Sequence, residues 1–413
     1  MTAGTRKDFN RMVGERIKVA RESIGLNQKE LSQRLGFNDR QTLSTIENGT
    51  RKVSSAELLS LMKILLKDLE YFTDPFRLVG EGAFSWRAQA EPEVLSTFEE
   101  KAGGWIAMYR VLRSGLGEPF NPLVPQLGLS ERSSFEDTWD AADRLRLNWN
   151  LGETPAATLT GIAERELDIL VLFVDIQGGV SISGAACHLP EFNTILINRR
   201  EPDGRRAFDF AHELFHVLTW KNMPPEWMDT DSPSRTKAKR VEHLANNFAA
   251  ALLMPRRVVE DRWRGRGANE DIHEWINRTA DDFGVTARAL YFWLRNLELL
   301  STKDRLSIVE SRLTWNGRTP EENNLPILYS RKFMVTVRKA LDKGDISERR
   351  AASLLDLSID ALRNVMVSYH LLDAEVGPVK GNCRFSMTGR KNFSPTRQTS
   401  AGYFISRRRT GLV

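Results

Sequence analysis

Along residues 9–72 apolar side chains recur at spacings of three and four: Met12, Ile17 and Ala20, then Leu31 and Leu35, then Leu43 and Ile46, then Leu58, Leu59, Met62 and Leu65. That period predicts short amphipathic helices folded on one another as an all-helical unit. Thr73, Asp74 and Pro75 break it and set a boundary near residue 75. Residues 76–150 read as mainly helical, interrupted by a Gly/Pro-punctuated loop from Gly115 to Gln126, and carry no chemical motif; they are expected to connect or brace. The period then changes. ILVLFV at 169–174 and TILIN at 194–198, with Gly178 and Gly179 between them, predict buried strands. Helical spacing returns at 207–220, at 241–300, where the apolar stretch Phe248 to Met254 is closed by Pro255, and at 330–372. After residue 374 the chain is rich in Gly, Ser, Thr, Arg and Lys and has little to bury, so a flexible tail is expected. No internal repeat of 20–50 residues stands out.

This pattern divides the 413 residues into a helical N-terminal domain (1–75), a helical connector (76–150), a mixed domain with a small sheet (151–300), a helical C-terminal domain (301–373) and a basic tail (374–413). The fold class is mainly α, of the α+β kind. Composition changes little: 41% hydrophobic and 27% charged residues are ordinary for a chain that buries a core. No apolar run reaches the length of a membrane span, and MTAGTRKDFN lacks the apolar centre of a secretory signal, so a cytoplasmic location without membrane contact is expected. Cys187 and Cys383, the only cysteines, are too few for a disulfide framework and fit a reducing compartment. The net charge of +5 is misleading, because the tail alone has a surplus of seven positive charges and leaves the remainder net acidic by two. Any case for nucleic acid must rest on a motif.

The segment AFDFAHELFHVLTW, 207–220, sets His212 and His216 four apart, so on a helix both imidazoles leave one face a turn apart and can reach a single ion. Glu213 lies beside the first ligand, placed to take a proton from water and return it to a leaving amine. The flanking stripes, Phe208, Ala211, Phe215 and Leu218 and then Phe210, Leu214 and Val217, show that this helix is built to be buried. Buried His and Glu are costly unless a metal engages them. A chance HExxH, expected in roughly one such chain in a hundred, would lack a third ligand. Here RVEHLANNFAAALLMP, 240–255, supplies Glu242 on a second apolar helix. Three protein ligands with one open position are the composition of a catalytic zinc site.

These two segments resemble the paired motifs of the ImmA/IrrE metallopeptidases. R-x-F-x-x-A-H-E-x-x-H is matched by Arg206, Phe208, Ala211 and HELFH, and E-x-x-A-N-x-F-A-x-x-L-L-M-P by Glu242, Ala245, Asn246, Phe248, Ala249, Leu252, Leu253, Met254 and Pro255. The resemblance spans roughly 140–300 and implies a zincin-like peptidase domain, Zn2+ as cofactor, His212, His216 and Glu242 as ligands, and Glu213 as general base. Asn246, four residues beyond Glu242, either accepts a proton from a metal-bound imidazole or bonds to neighbouring backbone. His243 is adjacent to the ligand, but the register favours Glu242. Cys187 precedes TILIN and is a candidate thiol switch that would fill the open metal position; the alternative is a small buried apolar residue.

Residues 14–53 resemble the Xre, or Cro/cI-type, helix-turn-helix family. Asn27 with Glu30 opens a helix as a capping box, Leu31 and Leu35 face inward, Gly36 permits a left-handed turn, and Leu43, Ile46 and Glu47-Asn48-Gly49 complete the hallmarks. The second helix of such a motif lies in the major groove, which makes Gln28, Arg40, Gln41, Thr42, Ser44 and Thr45 candidate DNA contacts and Arg51 and Lys52 candidate phosphate contacts. FNDRQTLS is one residue longer than the commonest spacing in the family. The alternative is a dimerisation or partner-binding bundle. ISERRAASLLDLSIDALRNVM, 346–366, has the same rhythm, which is common to any helical hairpin, and DDFGVTARALYFWLRNL, 281–297, reads as scaffold. The function expected is a DNA-binding regulatory zinc endopeptidase whose partners are double-stranded operator DNA and a protein substrate such as a repressor or antitoxin, with a homodimer as candidate assembly. The competing reading is a regulator or antitoxin that sequesters its partner and uses the zinc fold as sensor or scaffold.

Overall fold

The computed structural model describes residues 3–89, 92–121, 124–176, 181–224, 234–267, 269–319 and 325–373. The tail 374–413 lies outside them. Five helices come first: α1 (Ala3–Ser23), α2 (Gln28–Arg34), α3 (Arg40–Glu47), α4 (Ser55–Leu65) and α5 (Leu69–Thr73). Their starts are set by short polar caps. Asn27 and Glu30 form the expected capping box, Ser54 and Glu57 form another, and Asp39 accepts the Thr42 amide. Ile17, Ala20, Leu31, Leu43, Ile46 and Leu65 are buried together, joined by Leu61 and Phe72. Leu59, assigned to this core by its spacing, is instead 58% exposed, because the inward side of α4 runs through Leu58, Leu61, Met62 and Leu65.

Three contacts fix the bundle. At Gly14 a Cβ would stand 2.2 Å from the Ile46 carbonyl oxygen, so α1 and α3 touch backbone to backbone. Beside that contact Arg21 donates to both carboxylate oxygens of Glu47, at 2.7 and 3.1 Å, with the two side chains 6% and 1% exposed. Arg16, also fully buried, donates to the carbonyls of Tyr71 (3.0 Å) and Asp74 (2.8 Å) and fastens the end of the bundle.

The rest of the chain is built around one sheet: β1 (Ala83–Gln89), α6 (Pro92–Gly115), α7 (Phe135–Asn148), α8 (Ala156–Glu166), β2 (Leu170–Val174), β3 (Ser181–His188) and β4 (Asn193–Asn198). Helices α9 (Asp203–Thr219), α10 (Ser234–Leu253), α11 (Arg256–Arg264), α12 (Ile272–Phe283), α13 (Ala287–Asn296) and α14 (Thr302–Ser307) follow, then a 3-10 segment (Glu310–Gly317), α15 (Arg331–Lys343), α16 (Glu348–Leu354) and α17 (Ile359–Ser368). Strand order is β1-β3-β4-β2, with β2 parallel to β4 and the other pairs antiparallel.

Helices cover both faces, which is why β2 and β4 read as unbroken apolar runs. Val171, Ile195 and Ile197 point into a core shared with α7 to α10, α12 and α13; Leu170, Leu172 and Leu196 point into a second core shared with α6 and α15 to α17. The region read as a helical connector departs from that expectation at Ala83–Gln89, which joins the sheet along the outer side of β3. No helix among the described residues is long and apolar enough to cross a membrane.

Arg21→Ala would strand the buried Glu47 carboxylate with only the Gln28 amide (2.8 Å) as a charge-neutral partner. Losing one member of a buried pair costs about 3–5 kcal/mol. Amide hydrogen exchange in α1–α3 of the full chain should accelerate accordingly while the sheet stays protected, and unchanged protection of α1–α3 would contradict this account of the bundle.

Candidate metal centre and nucleic-acid face

Helix α9 is buried from Phe210 through Thr219, so its polar residues at 212, 213 and 216 sit inside the protein. Its first turn is anchored by Arg206, the first residue of the motif, which donates to the carbonyls of Arg199 (3.1 Å) and Glu201 and pairs with Asp203. At Gly204 a Cβ would stand 2.2 Å from the Val285 carbonyl carbon, so only glycine lets this end of the helix rest on the turn between α12 and α13. Arg205 ties the same turn to Asp209 (3.0 Å) and to Ser183 on β3 (3.1 Å).

One turn along, the Nε2 atoms of His212 and His216 are 3.2 Å apart. Glu242, from the neighbouring helix α10, completes the set: Oε2 is 3.1 Å from His212 Nε2 and Oε1 is 3.3 Å from His216 Nε2. The chemistry of this donor set fits a metal. Ligand atoms bound tetrahedrally to one zinc at about 2.0–2.2 Å stand roughly 3.3 Å from one another. The imidazoles are 1% exposed, whereas the Glu242 side chain is 38% exposed, so one side of the cluster opens to solvent as a catalytic site requires. Burial pushes the Glu242 carboxyl up, but hydrogen bonds and charge from the two imidazoles outweigh it and hold the group far below the usual carboxylate range.

Asn246 sits a turn beyond Glu242, with Oδ1 3.1 Å from His212 Nδ1. An amide oxygen only accepts, so in this arrangement His212 carries its proton on Nδ1 and turns the Nε2 lone pair to the cluster. Glu213 is 1% exposed and lies against β3, where a Cβ on Gly184 would be 3.5 Å from its Cγ. Gly184 was passed over in the sequence, although a glycine inside a strand is itself a signal of close approach.

Two neighbouring candidates are not brought in. His243 is exposed, one position out of register with the cluster. Cys187 lies in the core on the other side of the sheet, among Leu78 and Phe84, while Gly184 and Ala186 face α9. The thiol switch is therefore corrected to the alternative reading: burial pushes the Cys187 thiol up, away from the thiolate that metal binding needs.

In the N-terminal bundle the left-handed turn stands at Gly36, with φ of 75°. Arg40, Gln41 and Lys52 are exposed, and Thr42, Ser44 and Thr45 are half-buried. The Thr45 hydroxyl donates back to the Thr42 carbonyl at 2.8 Å. Gln28 is engaged by Glu47, and Arg51 by Glu57 at 2.7 Å and the Phe37 ring, so these two are held by the bundle itself.

The family model of the IrrE N-terminal-like domain of M78 peptidases matches residues 164–295, and a helix-turn-helix model matches residues 17–72. The two matches stand in the order the motifs led one to expect, an Xre-type helix-turn-helix first and an ImmA/IrrE-like peptidase domain after it. No curated protein matches it significantly. A crystal structure of Bacillus thuringiensis PlcR with the peptide PapR7 and DNA aligns over 87% of this chain and 96% of that one at 13% identity, with a TM-score of 0.15, too low to bear any argument.

Removal of a ligand should empty the cluster. In elemental analysis of purified protein, Glu242→Ala is expected to lose its bound divalent metal and His243→Ala to keep it; the opposite pattern would shift the α10 register by one. Mass spectrometry after alkylation of the native protein should find Cys187 unmodified until the chain is unfolded.

Proposed function

We propose that the chain is a DNA-binding regulatory zinc endopeptidase that cleaves a partner protein, such as a transcriptional repressor or an antitoxin. The observation that carries this reading is the meeting of His212, His216 and Glu242 atoms within 3.3 Å of their neighbours, next to the buried carboxylate of Glu213. In this reading His212, His216 and Glu242 hold Zn2+, which when bound supplies Lewis acidity toward water and the scissile carbonyl. The chain's own residues do the rest. Glu213 takes the proton of the attacking water and passes it to the leaving amine, while Asn246 keeps the His212 ring oriented. The exposed flank of Glu242 is the side from which a peptide enters.

The helix-turn-helix supplies location. With α3 in the major groove, Arg40 and Gln41 at its exposed start reach base edges and Lys52 meets phosphate, so the peptidase acts where its partner is bound. Only α3 and its neighbours need touch DNA for this, and the acidic balance of the chain before the tail is no obstacle.

Glu213→Gln is nearly isosteric and cannot act as a base, so cleavage of the native partner should fall by about 10²–10⁴-fold with zinc content and DNA affinity unchanged. Full cleavage by this variant would move the catalytic role elsewhere; DNA binding and repression that persist without any cleavage in the unmodified chain would favour sequestration instead. Affinity of the full chain for its own promoter should fall steeply as salt rises, because each neutralised phosphate releases counterions.

A further inference from the structure

The three C-terminal helices repeat the burial, caps and turns of the first three, but not all of their packing: Met334 stands at the place of Gly14, and α15 rests chiefly on α6 and β2 where α1 rests on α3. With Ser347 set on Asn27, the buried residues of α15 fall on those of α1 at a constant separation of 320: Phe333 on Val13, Thr336 on Arg16, Val337 on Ile17 and Ala340 on Ala20. A four-residue loop follows in each unit, 24–27 and 344–347, then a helix of 7 residues. Each short helix buries an adjacent pair, Leu31 with Ser32 and Ala351 with Ala352.

The turns match bond for bond. Leu35, Gly36 and Phe37 donate to Leu31, Gln33 and Ser32; Leu355, Asp356 and Leu357 donate to Ala351, Ser353 and Ala352. Gly36 (φ 75°) and Asp356 (φ 55°) hold the same left-handed place. The extra residue in the first turn, Asn38, has no counterpart, so beyond it the separation becomes 319. Asp39 and Ser358 cap the next helix through the amides of Thr42 and Ala361. Leu362, Val365 and Met366 are then buried where Leu43, Ile46 and Glu47 are.

The differences are also paired. The buried Arg21 and Glu47 of the first unit are replaced at once by Leu341 and Met366, an apolar couple packed in one core. Exchanging both members of a buried ion pair for apolar residues preserves such a fold, whereas exchanging one would not.

The outward positions are where the two units part. Ile359, Asp360, Arg363 and Asn364 stand at the places of Arg40, Gln41, Ser44 and Thr45, and all four are exposed. Arg and Asn carry the donors that pair with guanine O6/N7 and adenine N6/N7. The ion pair of Arg363 with Glu348, 2.7 Å at the surface, is weak enough to yield to a base or phosphate. Arg349 is exposed at the place of Lys29, and residues 331–368 carry eight Lys/Arg against five Asp/Glu. The forty residues that follow in the sequence from 374 carry eight against one.

We propose that residues 331–368 are a second helix-turn-helix, which reads duplex DNA through α17, so that one chain carries two reading heads. The test uses the full-length protein to select from a pool of random duplexes. Wild-type protein should recover two separate sequence elements. Arg363→Ala/Asn364→Ala, both on an exposed face, should recover one of them, with affinity down roughly ten- to hundredfold per lost base contact. Arg40→Ala/Gln41→Ala should recover only the other. If the α17 variant selects the same elements at the same affinity, the proposal is overturned and α17 faces a protein or nothing. If the α3 variant loses every sequence preference, the proposal is likewise overturned while the first unit's role stands. If the α3 variant changes nothing and the α17 variant abolishes selection, the first unit's role fails and this one holds.

Discussion

Everything in the larger part of this molecule depends on keeping three ionisable groups inside an apolar core. Two imidazoles and a carboxylate on α9 are each 1% exposed, in a stretch whose other residues from Phe210 to Leu218 are all apolar and buried. Left alone they would destabilise the fold. Glu242 meets the two imidazoles from α10, and His212, His216 and Glu242 together form a donor set that could hold a metal ion beside Glu213. The construction around them is consistent with that demand: glycines at 184 and 204 let a strand and a turn come close to α9, and Arg206 gathers the carbonyls where β4 gives way to the helix.

The sheet is placed by the same constraint. A helix buried on all sides needs a layer behind it and a second layer beside it. β2 and β4 supply the first with alternate residues facing alternate cores, and α10 supplies the second. The C-terminal helices close the other side of the sheet, where Tyr329 donates its amide to the Phe173 carbonyl at 2.7 Å and its hydroxyl to Leu355 at 2.8 Å. Hence the parts of the chain before and after α9 pack on a single sheet.

Much of the site was legible because helical periodicity is local. HELFH and the Glu242 to Pro255 segment state their donors and their apolar stripes in a few residues, and the expected ligand register is the one that brings atoms together. Strands β1 and β3 were not legible: SISGAACH has little β-branched bulk, and AFSWRAQ is a strand only because β3 offers it an edge. Partnership in three dimensions also decided the DNA face, where Gln28 and Arg51 look free in sequence and are held by Glu47 and Glu57. At 346–366 the rhythm was legible, but not the matching burial, caps and turn bonds, which the letters do not share. At the aligned places Arg21 and Glu47 give way to Leu341 and Met366, an exchange of charge for apolar surface that no likeness of letters would reveal.

The connection between the N-terminal bundle and the site follows from where Arg16 sits. Its guanidinium holds the carbonyls of Tyr71, Asp74 and Arg77, so the chain leaves the bundle already fixed. Gly80, with φ of 70°, then lies so close to α1 that a Cβ would be 2.8 Å from Val19, and three residues later β1 begins. β1 in turn pairs with β3, and Arg87 is registered with Gly184, the residue that lies over Glu213. A segment this short, anchored at both ends by hydrogen bonds and close backbone approach, has almost no conformational freedom to lose. It positions the bundle by the sheet, and β1 is the one strand of that sheet that lies outside the stretch matched by the peptidase family model.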